Sequence, residues 1–392
     1  MRFLTSVTSV LALASGLALG APSPSKKPKP NTKHPKTIDD FQALAIQSLR
    51  EAEARKPKGE PGKNGCTLKN ARVRRDWEAL SKPERKEYIR AVNCLWDLPA
   101  ADTTFSAAQN YFDEFVAIHI NLTDFIHGTG NFLTWHRYLM HLWEETLRND
   151  CGYKGALPYW NWFKYQDNLK ASPLFDGSDT SMGGDGEYFA HNGSIAGAGQ
   201  VWLPSGEGGG CVKSGPFVNR TINMGPIRPA MQGYEPVMTN QLDYNPRCQR
   251  RDLTNAASAY FTNKNLWEVL LGPHSISIGH FQDELQGPYG TLRMHGAGHY
   301  AMGGDGSDVF SSLNDPAFYQ HHAMVDRLYW IWQALHPQIA DTINGTRTFR
   351  NQPPSPDATV DDPLDVGVLG EHLPIKSMLD TLGNDPLCYI YA

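Results

Sequence analysis

A chain of 392 residues can bury a substantial core, as one large domain or two of medium size. Its 36 Lys+Arg against 41 Asp+Glu leave a formal charge of -5, which gives no electrostatic reason to expect nucleic acid or an anionic membrane as partner. Aromatic residues make up 11%, enough for a core packed with rings and for a site that takes a flat aromatic ligand, core packing being the commoner use.

The chain opens with an export pattern. Met1-Arg2 supplies a charged start, Phe3 to Leu19 is apolar, and Ala18-Leu19-Gly20 offers small residues for cleavage before Ala21-Pro22. The stretch is short for a membrane span, so residues 1–20 read as a cleaved signal peptide. No other run of roughly 18 apolar residues follows, which predicts a secreted, soluble protein without membrane anchorage. Residues 21–38, rich in Pro and Lys, read as a flexible leader, and residues 39–392 as one catalytic domain.

From there the apolar spacing predicts helices over 40–55 and 76–96, with Ser81-Lys82-Pro83-Glu84 resembling a helix start. A helix over 105–118 would put Phe105, Ala108, Phe112, Phe115 and Val116 on one side. Phe132 to Leu147 carries the strongest helical pattern. Residues 172–250 are rich in Gly, Pro, Asn and Ser and predict long loops. Helices return over 253–271, around 284–300 and over 316–335, and the tail from Gln338 reads as loop with short strands. The fold class is therefore mainly α: a central helix bundle, long loops laid over it and a few short strands.

Six cysteines, Cys66, Cys94, Cys151, Cys211, Cys248 and Cys388, form no C-x-x-C pair. In an exported chain they read as up to three disulfides whose pairing the sequence leaves open. Sequons begin at Asn121, Asn192, Asn219 and Asn344, as in a secreted glycoprotein, although Asn121 stands two residues from a candidate ligand, which argues against its use.

The chemistry lies in two histidine clusters. One is His119, His127 and His136; the other is His295, His299 and the pair His321-His322. His295 and His299 are four apart and share a helix face. Asp315-Pro316 reads as a helix start, placing His322 about two turns in and Asp326 a turn further. His127 and His136 would diverge on one straight helix, but Gly128-Thr129-Gly130 breaks it and lets them converge. An H-x-x-x-H pair alone is weak, with roughly a one-in-five chance of binding metal; two triplets amid dense aromatics are stronger. Six imidazoles without carboxylate or thiolate suit copper, whereas a zinc hydrolase would be expected to include a carboxylate.

Those segments resemble the type-3 copper family of tyrosinases, catechol oxidases and haemocyanin units. "NDPAFYQHHAMVDRLYWIWQ", from Asn314 to Gln333, is similar to the family signature almost position for position. "FLTWHR", "LPYWNW" (Leu157 to Trp162) and the closing Tyr389-Ile390-Tyr391 resemble further family motifs, so the likeness runs from about Asp39 to the end. The resemblance implies two copper ions, one on His119, His127 and His136 and the other on His295, His299 and His322, with O2 as co-substrate and a small phenol as substrate. Within the pair His322 is the implied ligand and His321 a packing neighbour. The other histidines match no ligand position.

Three positions bear on substrate. Phe125 stands where some relatives carry a cysteine that tethers a ligand histidine, so no such tether can form. Gly296 stands where relatives that hydroxylate monophenols often carry Asn. Val309 falls where relatives place a gating residue, and Glu284 is the candidate carboxylate beside the site. Longer relatives append a shielding domain after the core motif; here latency would rest on another device, such as the basic leader. The resemblance thus implies oxidation of o-diphenols, with o-aminophenols and weak monophenol turnover in reach. The alternatives are a tyrosinase with full monophenol hydroxylation in fungal secondary metabolism, or an oxygen-binding protein similar to a haemocyanin unit.

Overall fold

Several helices in this protein begin where a short polar side chain accepts a free backbone N–H, as Ser81, Asn110, Thr254, Thr262 and Ser277 do. The structure, a computed structural model, describes residues 30–55, 65–196, 199–287, 290–383 and 385–392; the expected signal peptide and the first part of the expected leader lie outside the described residues. Helix α1 spans Ile38–Arg55. Its Asp40 carboxylate accepts from the N–H groups of Asn31, Lys36 and Thr37 at 2.5, 3.0 and 2.9 Å, folding the end of the leader over the helix start. A short strand β1 follows at Arg72–Arg74. The helix expected over 76–96 is split: Trp77–Ala79 forms a 3₁₀ turn capped by Asp76, and Leu80 and Ser81 are extended. Helix α2 restarts at Lys82 and runs to Asp97, with Ser81 and Glu84 in a reciprocal capping box.

Helix α3 spans Tyr111–Ile126 rather than 105–118, because the Asn110 side chain caps it by accepting from the Asp113 N–H. It therefore extends far enough to carry His119 and to end at His127. Helix α4 spans Phe132–Asn149, close to the expected segment. The loop-rich region holds only short antiparallel pairs, β2 Gly186–Tyr188 with β5 Gly209–Val212 and β3 Ser194–Ala196 with β4 Val201–Leu203. The expected helix over 253–271 becomes two short ones, α5 Asn255–Ser258 and α6 Asn263–Leu270. That around 284–300 becomes α7 Ile278–Gln286 and α8 Met294–Met302. The break falls at Gly287, whose φ of 94° a side chain would resist.

Helix α9, Phe318–Leu335, is the centre of the bundle and packs on α1, α4, α6 and α8. Every residue from Phe318 to Ala334 is buried, so the helix shows no polar face and periodicity alone could not orient it. Its beginning departs slightly from expectation. The Asp315 carboxylate does accept from the Ala317 N–H at 2.9 Å, but Arg251 also grips it, at 2.6 and 2.9 Å, and regular helix starts at Phe318. The result is the mainly α architecture that the sequence implies.

The last strand, β6 (Tyr389–Tyr391), pairs in parallel with β1. Disulfides join Cys66 to Cys388, Cys94 to Cys151, and Cys211 to Cys248. Closing loops of these lengths restricts the unfolded chain, and the bonds point to an oxidising compartment. Among the described residues, no helix is long and apolar enough to cross a membrane. All four sequon asparagines are exposed. Asn121 lies about 200° around α3 from His119, so nearness in sequence does not bring it to the histidines.

Behind the histidines lies a buried charge network. Asp326 on α9 accepts from Arg137 Nε at 2.6 Å, Arg74 Nη1 at 3.2 Å, and the Tyr389 and Tyr391 hydroxyls at 2.6 Å each. Arg74 also holds Glu144 of α4 at 2.9 Å and lies over the Tyr389 ring at 3.7 Å. Burial alone would raise the Asp326 carboxyl, but Arg137 and Arg74 hold it below its ordinary value. The network ties β1, α4, α9 and β6 together one residue from His136 and one turn from His322. Asp326→Ala, which leaves the buried Arg137 guanidinium without a carboxylate partner and removes one of two from Arg74, should lower stability by about 3–5 kcal/mol. Denaturant unfolding checks this, and a loss under about 1 kcal/mol would refute the bracing role.

Candidate metal centre

Two groups of imidazoles meet where α3, α4, α8 and α9 converge: His119, His127 and His136, and His295, His299, His321 and His322. Within each group the candidate ligand atoms lie within 4.8 Å of one another, and neither includes a carboxylate or a thiol. His119 projects from α3 and His136 from the second turn of α4. His127 ends α3 with extended backbone (φ -120°, ψ 141°), and Gly128 at φ 57° turns the chain toward α4. The helix break expected between His127 and His136 is therefore what allows them to face each other.

Four of the rings are held from the far side by the backbone, whereas His322 Nδ1 is buried without a hydrogen-bond partner. Nδ1 of His119 lies 2.7 Å from the Phe310 carbonyl, that of His127 3.0 Å from Thr123, that of His136 2.8 Å from Phe132, and that of His299 2.9 Å from Gly306. A carbonyl only accepts, so these rings carry their proton on Nδ1 and turn a bare Nε2 inward. The Nε2 atoms of His119 and His136 are buried without a hydrogen-bond partner. His299 Nε2 stands 3.1 Å from His295 Nε2 and 3.2 Å from His322 Nε2. Lone pairs that close repel unless a cation lies among them. Bonds of about 2.0–2.1 Å from one metal to adjacent imidazoles put their nitrogens roughly 3 Å apart, so the donor set fits a metal ion. All-imidazole sets suit copper.

Burial pushes all seven rings toward the neutral form, taking His127 and His299 down to about 4 and the others well below the ordinary imidazole value. Near neutral pH the groups therefore present lone pairs rather than protons.

Aromatic packing joins the two groups. The His136 ring stacks on His322 at 4.5 Å, and Phe132 lies 4.8 Å from His136 and 4.9 Å from His295. Phe318 stacks on His322 at 4.1 Å and also reaches His119 and His299. Each phenylalanine stands one turn before a candidate ligand, Phe132 before His136 and Phe318 before His322. Asking what fills that i−4 position would have found both in the sequence.

His321 is tightly packed by its surroundings. Its ring presses on Gly298 so closely that a Cβ there would lie 2.1 Å from its Cε1, and it also packs against Trp162. Its nitrogens make no hydrogen bond of good geometry, the His295 backbone being the polar group that acts on it. Gly298, which the sequence reading passed over, thus sets how near α8 comes to α9. The remaining histidines stay apart from both groups: His191 pairs with Asp252, His274 with Glu284 and His372 with Asp365, while His141 stacks on Tyr138.

Of the candidate neighbours, Glu284 is buried on α7 and ion-pairs with Arg293 at 2.9 Å and His274 at 3.6 Å. Its partner Arg293 is the residue before α8, and Glu284 is buried rather than a solvated helix residue. At Gly296 a Cβ would meet the tip of Leu292 at 3.0 Å and the Tyr300 ring at 3.9 Å, leaving room for a side chain if Leu292 gives way. Val309 is 38% exposed, beside the Phe310 carbonyl that holds His119.

Two buried all-imidazole groups facing each other across a helix bundle define a dinuclear copper protein. The family profile for the common central domain of tyrosinase matches residues 109–335. The chain belongs to the tyrosinase family, whose members are type-3 dicopper oxidoreductases. It is 38% identical to Tyrosinase P of Aspergillus terreus over 329 residues, covering 82% of this chain and 92% of the relative. It is 39% identical to the N-acetyl-6-hydroxytryptophan oxidase ivoB of Emericella nidulans over 347 residues, covering 83% and 93%. A glycine-to-asparagine variant of a polyphenol oxidase from Thermothelomyces thermophila superposes with a TM-score of 0.83 at 35% identity, covering 91% of this chain and 98% of that one.

Two outcomes follow from this geometry. His322→Ala should bind one copper fewer than the unaltered protein, whereas His321→Ala should retain both; elemental analysis of dialysed protein decides, and equal losses would refute the distinction. In the metal-free protein the unfolded chain takes up protons first as pH falls, because folding lowers His127 and His299 from 6.5 to about 4. Their contribution to stability is complete above pH 6.5 and declines toward pH 4, so the metal-free Tm should fall across that window; a flat profile would count against it.

Proposed function

We propose that this protein oxidises o-diphenols to o-quinones, and o-aminophenols to o-quinone imines, with O2 at a copper pair. One ion would be held by His119, His127 and His136, the other by His295, His299 and His322. The observation that carries this reading is the convergence of His295, His299 and His322 through Nε2 atoms 3.1–3.2 Å apart, opposite a second imidazole trio. When bound, the copper pair supplies O2 binding and a route for two electrons at a time. Each diphenol gives up two electrons and two protons, and two such oxidations reduce one O2 to two waters.

The chain's own residues do the rest. Burial keeps the imidazoles neutral, backbone carbonyls aim four of them, and Phe132 and Phe318 pack against rings of both groups. The exposed, small Val309 leaves the approach open to a flat ring. Gly296 offers no side chain to hold the water that would deprotonate a monophenol, which favours substrates that already carry the second hydroxyl. Relatives named for tyrosine and for a hydroxytryptophan derivative support a phenolic substrate and leave room for a tailored one in secondary metabolism. The protein acts outside the cell, exported by residues 1–20, in keeping with its three disulfides.

The test is O2 uptake by copper-loaded protein with catechol and with a matched monophenol. Uptake with catechol and a slow response to the monophenol is expected. Prompt uptake with both would make it a full tyrosinase, and uptake with neither, despite two coppers, would favour an oxygen carrier. Gly296→Asn should raise the monophenol rate relative to catechol by about tenfold, the worth of one hydrogen bond in the transition state. An unchanged ratio would remove Gly296 from the argument.

A further inference from the structure

The loop between α8 and α9 touches both histidine groups at once. Residues 303–314 are buried except for Val309. The Gly306 carbonyl accepts from His299 Nδ1 at 2.9 Å, and the Phe310 carbonyl accepts from His119 Nδ1 at 2.7 Å. One ring in each group is therefore aimed by carbonyls only four residues apart on the same loop. A shift of this segment would turn both rings together.

The middle of the segment is held by one buried carboxylate. Asp308 is fully buried, and its Oδ1 accepts from the Phe310 and Ser311 N–H groups at 2.9 and 3.2 Å. Its Oδ2 accepts from the Ile227 and Arg228 N–H groups at 2.6 and 2.8 Å. Half of its bonds thus close the turn around Val309 and half fasten that turn to the long loop region. All four bonds are to backbone amides, an arrangement that can sustain a buried carboxylate while fixing main-chain geometry. Nearby Asp305 anchors the start of the same loop separately, through Arg247, the Tyr234 hydroxyl and the Arg250 N–H.

We infer that Asp308 is a positioning residue shared by the two metal sites, orienting His119 and His299 through the Phe310 and Gly306 carbonyls. This rests on the ligand assignment proposed above. It makes the two sites interdependent through the protein: loosening one carboxylate loosens one ligand in each. It also fixes Val309, so the approach to the centre and the aim of its ligands share one anchor.

The experiment is a copper titration against a chelating buffer, with copper bound per chain and Tm as readouts. Asp308→Ala should weaken both binding steps, each by about 10–100-fold, as loss of an outer support commonly does. His119→Ala and His299→Ala should each abolish chiefly one step. Phe41→Ala, a buried change on α1, supplies the control: it should lower Tm while leaving both copper steps in place. Should Asp308→Ala fail to fold, Asp308→Asn serves, since it keeps one acceptor oxygen and turns an NH2 toward the other pair of donors; both steps should again weaken, by less. Copper binding that is unchanged, or weakened at one step only, in the variant that folds would overturn the inference. Fewer than two coppers on the unaltered protein would instead overturn the ligand assignment.

Discussion

Several imidazole nitrogens with bare lone pairs lie buried and face one another, and the rest of this structure is arranged around that fact. Such an arrangement is unfavourable by itself, because a buried polar atom without a partner forfeits its hydration and close lone pairs repel. It becomes favourable when a cation enters. The protein must therefore hold the rings against their own repulsion before metal arrives. It does so from behind, with backbone carbonyls on Nδ1 of His119, His127, His136 and His299.

Holding a ring from behind requires the carbonyl to be fixed, and the fold supplies this at two levels. For His127 and His136 the acceptors are the carbonyls of Thr123 and Phe132, one turn earlier on α3 and α4, so helix formation alone aims them. For His119 and His299 the acceptors lie on the loop before α9, which depends on Asp305 and Asp308 and, through them, on residues 227–250. The long irregular region thus works as an outer clamp. Its Cys211–Cys248 disulfide ties it together internally, and the Arg251–Asp315 pair fastens its end to the start of α9.

The imidazoles, the phenylalanines between them and the charge network on Asp326 belong to the packed helices, where a shift of one ring would disturb many contacts. On the proposed reading selectivity rests instead on Gly296 and the exposed Val309, while Glu284 is buried in an ion pair with Arg293. A family that keeps one reaction type while its members carry names for different phenols is consistent with that separation.

Much of this was legible in the linear chain. The two histidine clusters, the break at Gly128 and the helices around Phe132–Asn149 and Phe318–Leu335 all follow from residue type and local spacing, whereas the choice of His322 within its pair rests on the family resemblance. These are interactions between near neighbours, so the local pattern contains them. Helix boundaries were less legible wherever a cap overrode periodicity, as Asn110 does for α3 and Gly287 does between α7 and α8. Cysteine pairing was not legible at all, since Cys66 and Cys388 meet only across the folded molecule. The orientation of the rings was equally hidden. Any residue type can present a carbonyl, so nothing in the letters marks Phe310 as the partner of His119, 191 positions away. The sequence determined which side chains could bind metal; only the tertiary structure decided which nitrogen each would offer, because that depends on backbone atoms brought from distant parts of the chain.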